Sequence, residues 1–289
     1  MLEINYDSPV ALRAFLEERG LGMRKKFGQN FLINPEPRRK LVESLGPEKG
    51  EGVWEIGPGL GAMTRDLLER GCRVTAFEID PGFIGVLREL FGGRESFLLV
   101  EGDALKTWRR QAGADYLIGN LPYNIAAVLL ADMIEGGRFF KRMVVTVQRE
   151  VARRMAAKPG SADYSSFSVL AASVYRVDPL MLIGGTSFYP SPRVDSQGVL
   201  LELLPPEERT GSPLFYPLVR RLFGSRRKTI KNNLQGFVSS RIAPGKDVRT
   251  LSLAALERCG IKPEDRAENL SVARFRELAL VLGEDYGLC

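Results

Sequence analysis

Residues 52–80 read GVWEIGPGLGAMTRDLLERGCRVTAFEID, and the order of elements in that stretch decides the fold. Gly52–Ile56 is a short apolar run, predicted to be a buried strand. Gly57–Gly61 is a glycine turn. Met63–Arg70 has helical spacing, and Arg73–Ile79 is a second strand. A strand, a tight glycine loop, a helix and a parallel strand make the opening unit of an open α/β sheet. Glycines there let the backbone approach a ligand closely and start the next helix sharply.

The alternation continues outward. Asp80-Pro81 opens a predicted helix over 81–91. FLLVEG and DYLIGN hold two further strands, residues 126–134 a helix, and residues 142–148 a strand. The predicted class is α/β, a Rossmann-like parallel sheet covered on both faces. After Ser165 the runs SFSVLAASVYRV and GVLLELL read as β-rich and are expected to complete the sheet as an antiparallel edge. Pro205-Pro206-Glu207-Glu208 reads as a linker. Beyond it PLFYPLVRRLF, RRKTIKNNLQGFV, LSLAALERCG and SVARFRELALVL have helical periods. The expected domains are therefore an N-terminal helical extension (1–22), a catalytic domain (23–206) and a small all-helical domain (207–289). Ser8-Pro9 caps the helix of the extension, and Gly20 ends it.

Composition narrows the chemistry. The chain has 289 residues, no histidine and three cysteines far apart. His-based triads, His-ligated metals and His acid–base pairs are excluded, and no metal site is expected. Cys72, Cys259 and Cys289 read as incidental thiols. No segment is apolar enough to span a membrane, and residues 1–10 lack a signal-peptide pattern, so a cytoplasmic protein is expected. The net charge is +6, and residues 205–289 carry 15 Lys+Arg against 10 Asp+Glu. Such a basic segment suggests a polyanionic partner, although a solvated helical surface is an equal alternative.

Several motifs carry the candidate site. Glu78 ends the second strand, 21 residues after Gly57, where a carboxylate can accept from an adenosine ribose. A dinucleotide fits this spacing as well. Pro58 removes an N–H that would help cradle a phosphate, which favours S-adenosylmethionine over phosphate-bearing cofactors. Asp103, after the third strand, can accept from an adenine amine. Ordinary strand-end capping is the alternative for both carboxylates.

Asn120-Leu121-Pro122-Tyr123 closes the fourth strand, at the edge where open α/β sheets bind ligands. An exocyclic adenine amine is a poor nucleophile because its lone pair spreads into the ring. The Asn120 amide oxygen and the Leu121 carbonyl can bind its two N–H bonds and favour a pyramidal nitrogen. Pro122 stiffens the loop, and Tyr123 offers a stacking ring. No base is required before attack, consistent with the missing histidine. FYPSPRVDS (188–196) is a proline-stiffened loop in which Phe188 can close the other face of a base, or simply pack into the core. Arg24, Lys25 and Lys26, with Arg226, Arg227, Lys228 and Lys231, are candidate phosphate contacts for RNA.

Together KKFGQNFL, EIGPGLG, FEID, EGDAL, NLPYN, QREVARRMAAKPG, FYPSPRVDS and RRKTIKNNL closely resemble the ribosomal small-subunit RNA adenine N6,N6-dimethyltransferase family, from about Lys25 to Leu282. The resemblance implies a seven-stranded methyltransferase sheet with a helical C-terminal domain. It implies transfer of four methyls to two adjacent adenosines in a hairpin loop near the 3′ end of small-subunit RNA, with S-adenosylhomocysteine as product. It places cofactor contacts on Asn30, Leu32, Gly57, Gly59, Glu78, Asp103 and Asn120, and the methyl-transfer pocket on Asn120, Leu121, Tyr123 and Phe188. A monomer partnered with the small ribosomal subunit is expected. The family usually has Lys at Arg193 and glycine near Ser165. The rival readings are a large-subunit RNA adenine methyltransferase of the antibiotic-resistance type and a non-catalytic RNA-binding assembly or transcription factor.

Overall fold

The computed structural model describes residues 2–22, 29–122, 125–209, 212–242 and 247–287. They fall into two compact units, Met1–Ala152 with Val177–Leu203, and Arg153–Arg176 with Leu204–Cys289.

The first unit begins with α1 (Pro9–Glu18), β1 (Phe31–Leu32) and α2 (Pro35–Leu45). The alternating segment follows: β2 (Gly52–Ile56), α3 (Ala62–Glu69), β3 (Arg73–Glu78), α4 (Pro81–Phe91), β4 (Phe97–Glu101), α5 (Ala104–Thr107), β5 (Tyr116–Asn120), α6 (Ala126–Glu135) and β6 (Arg142–Gln148). The chain then passes through α7 (Arg149–Met155) and α8 (Ser166–Ala172) and returns as β7 (Tyr175–Ile183), β8 (Phe188–Tyr189) and β9 (Ser196–Leu203). Seven strands form one sheet in the order β4-β3-β2-β5-β6-β9-β7, and β1 pairs antiparallel with β8 apart from it. Pairing is parallel from β4 through β6, and β9 runs antiparallel to β6. The Rossmann-like seven-stranded sheet and its antiparallel side are thus as expected.

Local chemistry explains the boundaries. Asn34 and Asp80 each accept a backbone N–H as N-caps, and each is followed by proline at the first helical position. Val53, Trp54 and Ile56 on β2 are buried, as a central parallel strand requires. The strand order reverses between β2 and β5. That switch point opens a crevice between the loops after Ile56 and Asn120.

The helix-or-strand expectation fails in one segment. SFSVLAA, predicted as part of a β run, is the helix α8. Ser165 accepts at its N-terminus in a capping box with Ser168, whose hydroxyl in turn accepts from the Ser165 N–H at 3.0 Å. Phe167, Val169, Leu170 and Ala171 are all buried, and a continuous apolar run of that length does not distinguish strand from helix by period.

In the second unit, α8 joins α9 (Phe215–Phe223), α10 (Ile230–Ser239), α11 (Val248–Arg258) and α12 (Val272–Leu280). Phe223 stacks on Phe275 at 5.8 Å and meets Tyr164 edge-on at 5.9 Å. The Tyr164 hydroxyl donates to the Leu270 carbonyl at 2.9 Å. These contacts draw residues 153–176 to the C-terminal helices, although the sequence reading placed them in the catalytic domain. Residues 2–22 likewise belong to the first unit: Ile4, Tyr6, Leu12 and Leu16 share a core with Leu60, Phe83 and Val86. Among the described residues no helix is long and apolar enough to cross a membrane.

Candidate active site

The switch-point crevice is a cavity of about 310 Å³. Its floor is the glycine loop. Gly57, Gly59 and Gly61 have φ of 68°, 60° and 89°, a region that side chains with a Cβ rarely enter. A Cβ on Gly57 would meet nothing nearer than the Asn120 carbonyl oxygen at 4.0 Å, so it would stand in the crevice. A Cβ on Gly61 would fall 2.5 Å from the Phe91 ring, which explains how closely α3 approaches α4.

Glu78 is 5% exposed at the end of β3. Its Oε1 accepts the N–H groups of Ile79 and Asp80, each at 2.9 Å, and Oε2 accepts that of Gly59 at 3.1 Å. These donors use three of the roughly four acceptor positions of a carboxylate. Burial outweighs them and pushes the carboxyl up to about 7. Beneath the loop, Glu55 is fully buried and accepts from the Thr64 hydroxyl at 2.5 Å, tying β2 to α3. Burial pushes its carboxyl up to about 8. Asp103 caps α5 by accepting from Leu105 N–H at 3.0 Å. The capping alternative for Glu78 and Asp103 thus describes part of what they do, and both also face the cavity.

Asn120 closes the opposite side. Its Nδ2 donates to the Asn30 carbonyl at 2.7 Å, which fixes which end of the amide is nitrogen. The Leu121 N–H donates to Thr146 at 3.0 Å, and the Pro122 carbonyl accepts from Ile125 and Ala126, each at 3.1 Å. The turn after β5 is therefore held on both sides.

Asn30, Leu32, Gly57, Gly59, Glu78, Asp103, Asn120 and Pro122 all line this one cavity. Leu121 adjoins it with a buried side chain. Phe188 does not line it: although paired with Leu32 across β1 and β8, it is 3% exposed, in the core cluster that also holds Ile183. Arg24, Lys25, Lys26 and Tyr123 lie outside the described residues. In the second unit, Arg227 and Lys228 are exposed just before α10, and Lys231 is half-buried on it. Arg226 is ion-paired with Glu268 at 2.9 Å and donates to the Ala162 carbonyl, so part of its charge is already compensated.

The sequence reading missed Tyr6, Leu12 and Arg38, which also line the cavity. Tyr6 and Leu12 sit in a segment without a motif. Arg38, in PEPRRK, has the look of a solvated helix face, yet it is 4% exposed.

The sequence pattern of the ribosomal RNA adenine dimethylase family matches residues 20–282. The chain belongs to that family. Among other family members, the ribosomal RNA small subunit methyltransferase A of Treponema denticola is 43% identical over 286 residues, 96% of each chain. The solved dimethyladenosine transferase from Plasmodium falciparum superposes with a TM-score of 0.77 at 26% identity, over 88% of this chain and 98% of that one. The 23S rRNA methyltransferase ErmE, at 23% identity and a TM-score of 0.61 over 88% of this chain and 99% of that one, shares the fold.

Proposed function

We propose that this protein transfers methyl groups from S-adenosylmethionine to N6 of two adjacent adenosines in a hairpin loop near the 3′ end of small-subunit ribosomal RNA, giving N6,N6-dimethyladenosines. The observation that carries this reading is the convergence of Gly57, Glu78, Asp103 and Asn120 on one cavity in a member of the adenine dimethylase family.

The residues present fit the donor. The glycine loop leaves open the space a Cβ at Gly57 would fill. Glu78 keeps acceptor capacity for a ribose hydroxyl while its other bonds hold the loop. Asp103 offers a carboxylate to the adenine amine. When bound, S-adenosylmethionine supplies an electrophilic methyl group on a sulfonium centre.

The chain's own work is orientation. With Nδ2 of Asn120 directed at Asn30, its Oδ1 is the end that accepts from the target amine. The Leu121 carbonyl is the second acceptor, on a turn braced by Thr146 and Pro122. Two acceptors on two N–H bonds favour the pyramidal nitrogen that attack requires, and they form best in the transition state. Pro122 keeps the turn rigid, and Tyr123 stacks on the extruded base. Phe188 contributes by fixing β8 against Leu32 rather than by direct stacking. Arg24, Lys25, Lys26, Arg227, Lys228 and Lys231 hold RNA phosphates, and Arg226 does so less strongly because of Glu268. The product is S-adenosylhomocysteine. The protein acts as a monomer, in the cytoplasm, on the small subunit.

The test is competition. Unmethylated small and large ribosomal subunits are offered together with methyl-labelled donor. Label is expected in small-subunit RNA alone. Label in large-subunit RNA would replace this reading with the antibiotic-resistance type, and no label would leave a binding factor.

A further inference from the structure

Residues 2–22 contribute directly to the cavity wall through Tyr6 and Leu12. Tyr6 is 5% exposed, and its hydroxyl donates 2.9 Å to the carbonyl of Leu60, the residue between Gly59 and Gly61. The Arg65 guanidinium lies 4.7 Å from the centre of the Tyr6 ring. Glu78 holds the same loop through Gly59 N–H, so the loop is gripped from both sides within two residues.

The next residue extends the connection. Asp7 accepts from Arg38 Nη2 at 2.9 Å. Arg38 Nε reaches Asp66 on α3 at 3.3 Å, and Nη1 reaches the Leu32 carbonyl on β1 at 3.5 Å. A guanidinium this buried is stable only when paired, and two aspartates pair it. One side chain therefore joins the N-terminal segment, β1 and α3, and Leu32 on β1 itself lines the cavity. At the far end of α1, Arg19 meets Glu89 on α4 at 2.6 Å, an exposed pair of small worth.

We propose that residues 2–22 act as a clip whose docking completes the methyl-donor site, with Tyr6 and Arg38 as positioning residues for the glycine loop and β1. The proposal rests on the cavity being the S-adenosylmethionine site. If the docked clip shapes the site, donor binding must stabilise the docked clip by the same factor. The segment is held by the Asp7–Arg38 and Arg19–Glu89 ion pairs, the Tyr6 hydrogen bond and a small apolar cluster, few enough contacts for it to open locally.

The test uses the full chain, titrated calorimetrically with S-adenosylmethionine, with amide hydrogen exchange followed at α1 and, as an internal reference, at α10. Saturating donor is expected to slow exchange in α1 and leave α10 unchanged. Tyr6→Phe and the milder Asp7→Asn are each expected to weaken donor binding about fivefold, the scale of one lost hydrogen bond, and to speed exchange in α1. A merely structural segment would show no donor-dependent change in α1. Donor binding by the wild type that is weakened by Glu78→Ala, with α1 exchange unaffected by donor and both clip variants binding as wild type, overturns the clip alone. Absence of donor binding by the wild type overturns the donor-site reading and the clip with it.

Discussion

Under the proposed function, the cavity of the first unit and the basic segment before α10 in the second meet opposite demands. Around the cavity the polar groups are held by short hydrogen bonds: Glu78 by three backbone N–H groups, Asp103 by the Leu105 N–H and Asn120 by the Asn30 carbonyl, with Glu55 behind the glycine loop bonded to Thr64. Before α10, Arg227 and Lys228 are exposed, and Arg226 divides its charge with Glu268. A small donor and a reacting amine need geometry set in advance. A phosphate backbone needs charge within reach, and mobile cations on long stems provide it. The two regions should therefore respond differently to substitution.

The largest separation is expected at Asn120. Asn120→Ala should slow single-turnover methylation on the order of a hundred- to a thousand-fold, the scale of losing one preorganised polar contact, with RNA binding close to wild type. Parallel filter-binding and rate measurements check it. A proportionate loss of both would erase the contrast.

Glu78→Ala should weaken donor binding roughly ten- to a hundred-fold by calorimetry, because it removes a charge-assisted acceptor and releases the glycine loop. Unchanged affinity would remove Glu78 from the site.

Protons sharpen the same point. Burial holds the Glu78 carboxyl near 7, and hydroxyl donors favour its ionised form. Donor affinity should then rise between about pH 6 and 8, with proton release visible as a buffer-dependent binding enthalpy, and Glu78→Gln should abolish both. For the unliganded protein the sign is reversed. Glu55 and Glu78 have folded values above the ordinary 4.5, so their stabilising contribution is full below that value and is lost as pH rises through about 7 and 8. Thermal unfolding of Glu55→Gln should lose less stability than wild type over that interval.

The smallest effects belong to the basic segment. Charge reversal at Arg227 and Lys228 should each flatten the salt dependence of RNA binding by about one ion's worth, and donor affinity should stay put. Arg226 should contribute less than either. Equal slopes for all three would mean that its pairing with Glu268 dissolves on RNA.

The glycine loop and the polar groups of the cavity were legible because their chemistry is local. Glycines at 57, 59 and 61, a carboxylate at the end of the next strand and Asn120 after β5 are positions that the strand–loop–helix unit itself dictates. What was not legible depends on partners distant in the chain. Arg38 is buried only because Asp7 and Asp66 meet it. Phe188 read equally as a base-stacking ring or a core ring, and only its burial in the cluster with Leu32 and Ile183 separates the two. Ser166–Ala172 carries no period that separates helix from strand, and its state follows from a capping box and burial.

The most direct test of the whole account is mass spectrometry of nuclease-digested RNA after incubation of unmethylated small subunits with S-adenosylmethionine and either wild-type protein or Asn120→Ala. The account predicts N6,N6-dimethyladenosine at two adjacent positions in small-subunit RNA with wild type, and next to none with the variant over the same time. Equal dimethylation by the variant, or methylation at a different atom or base, would contradict it.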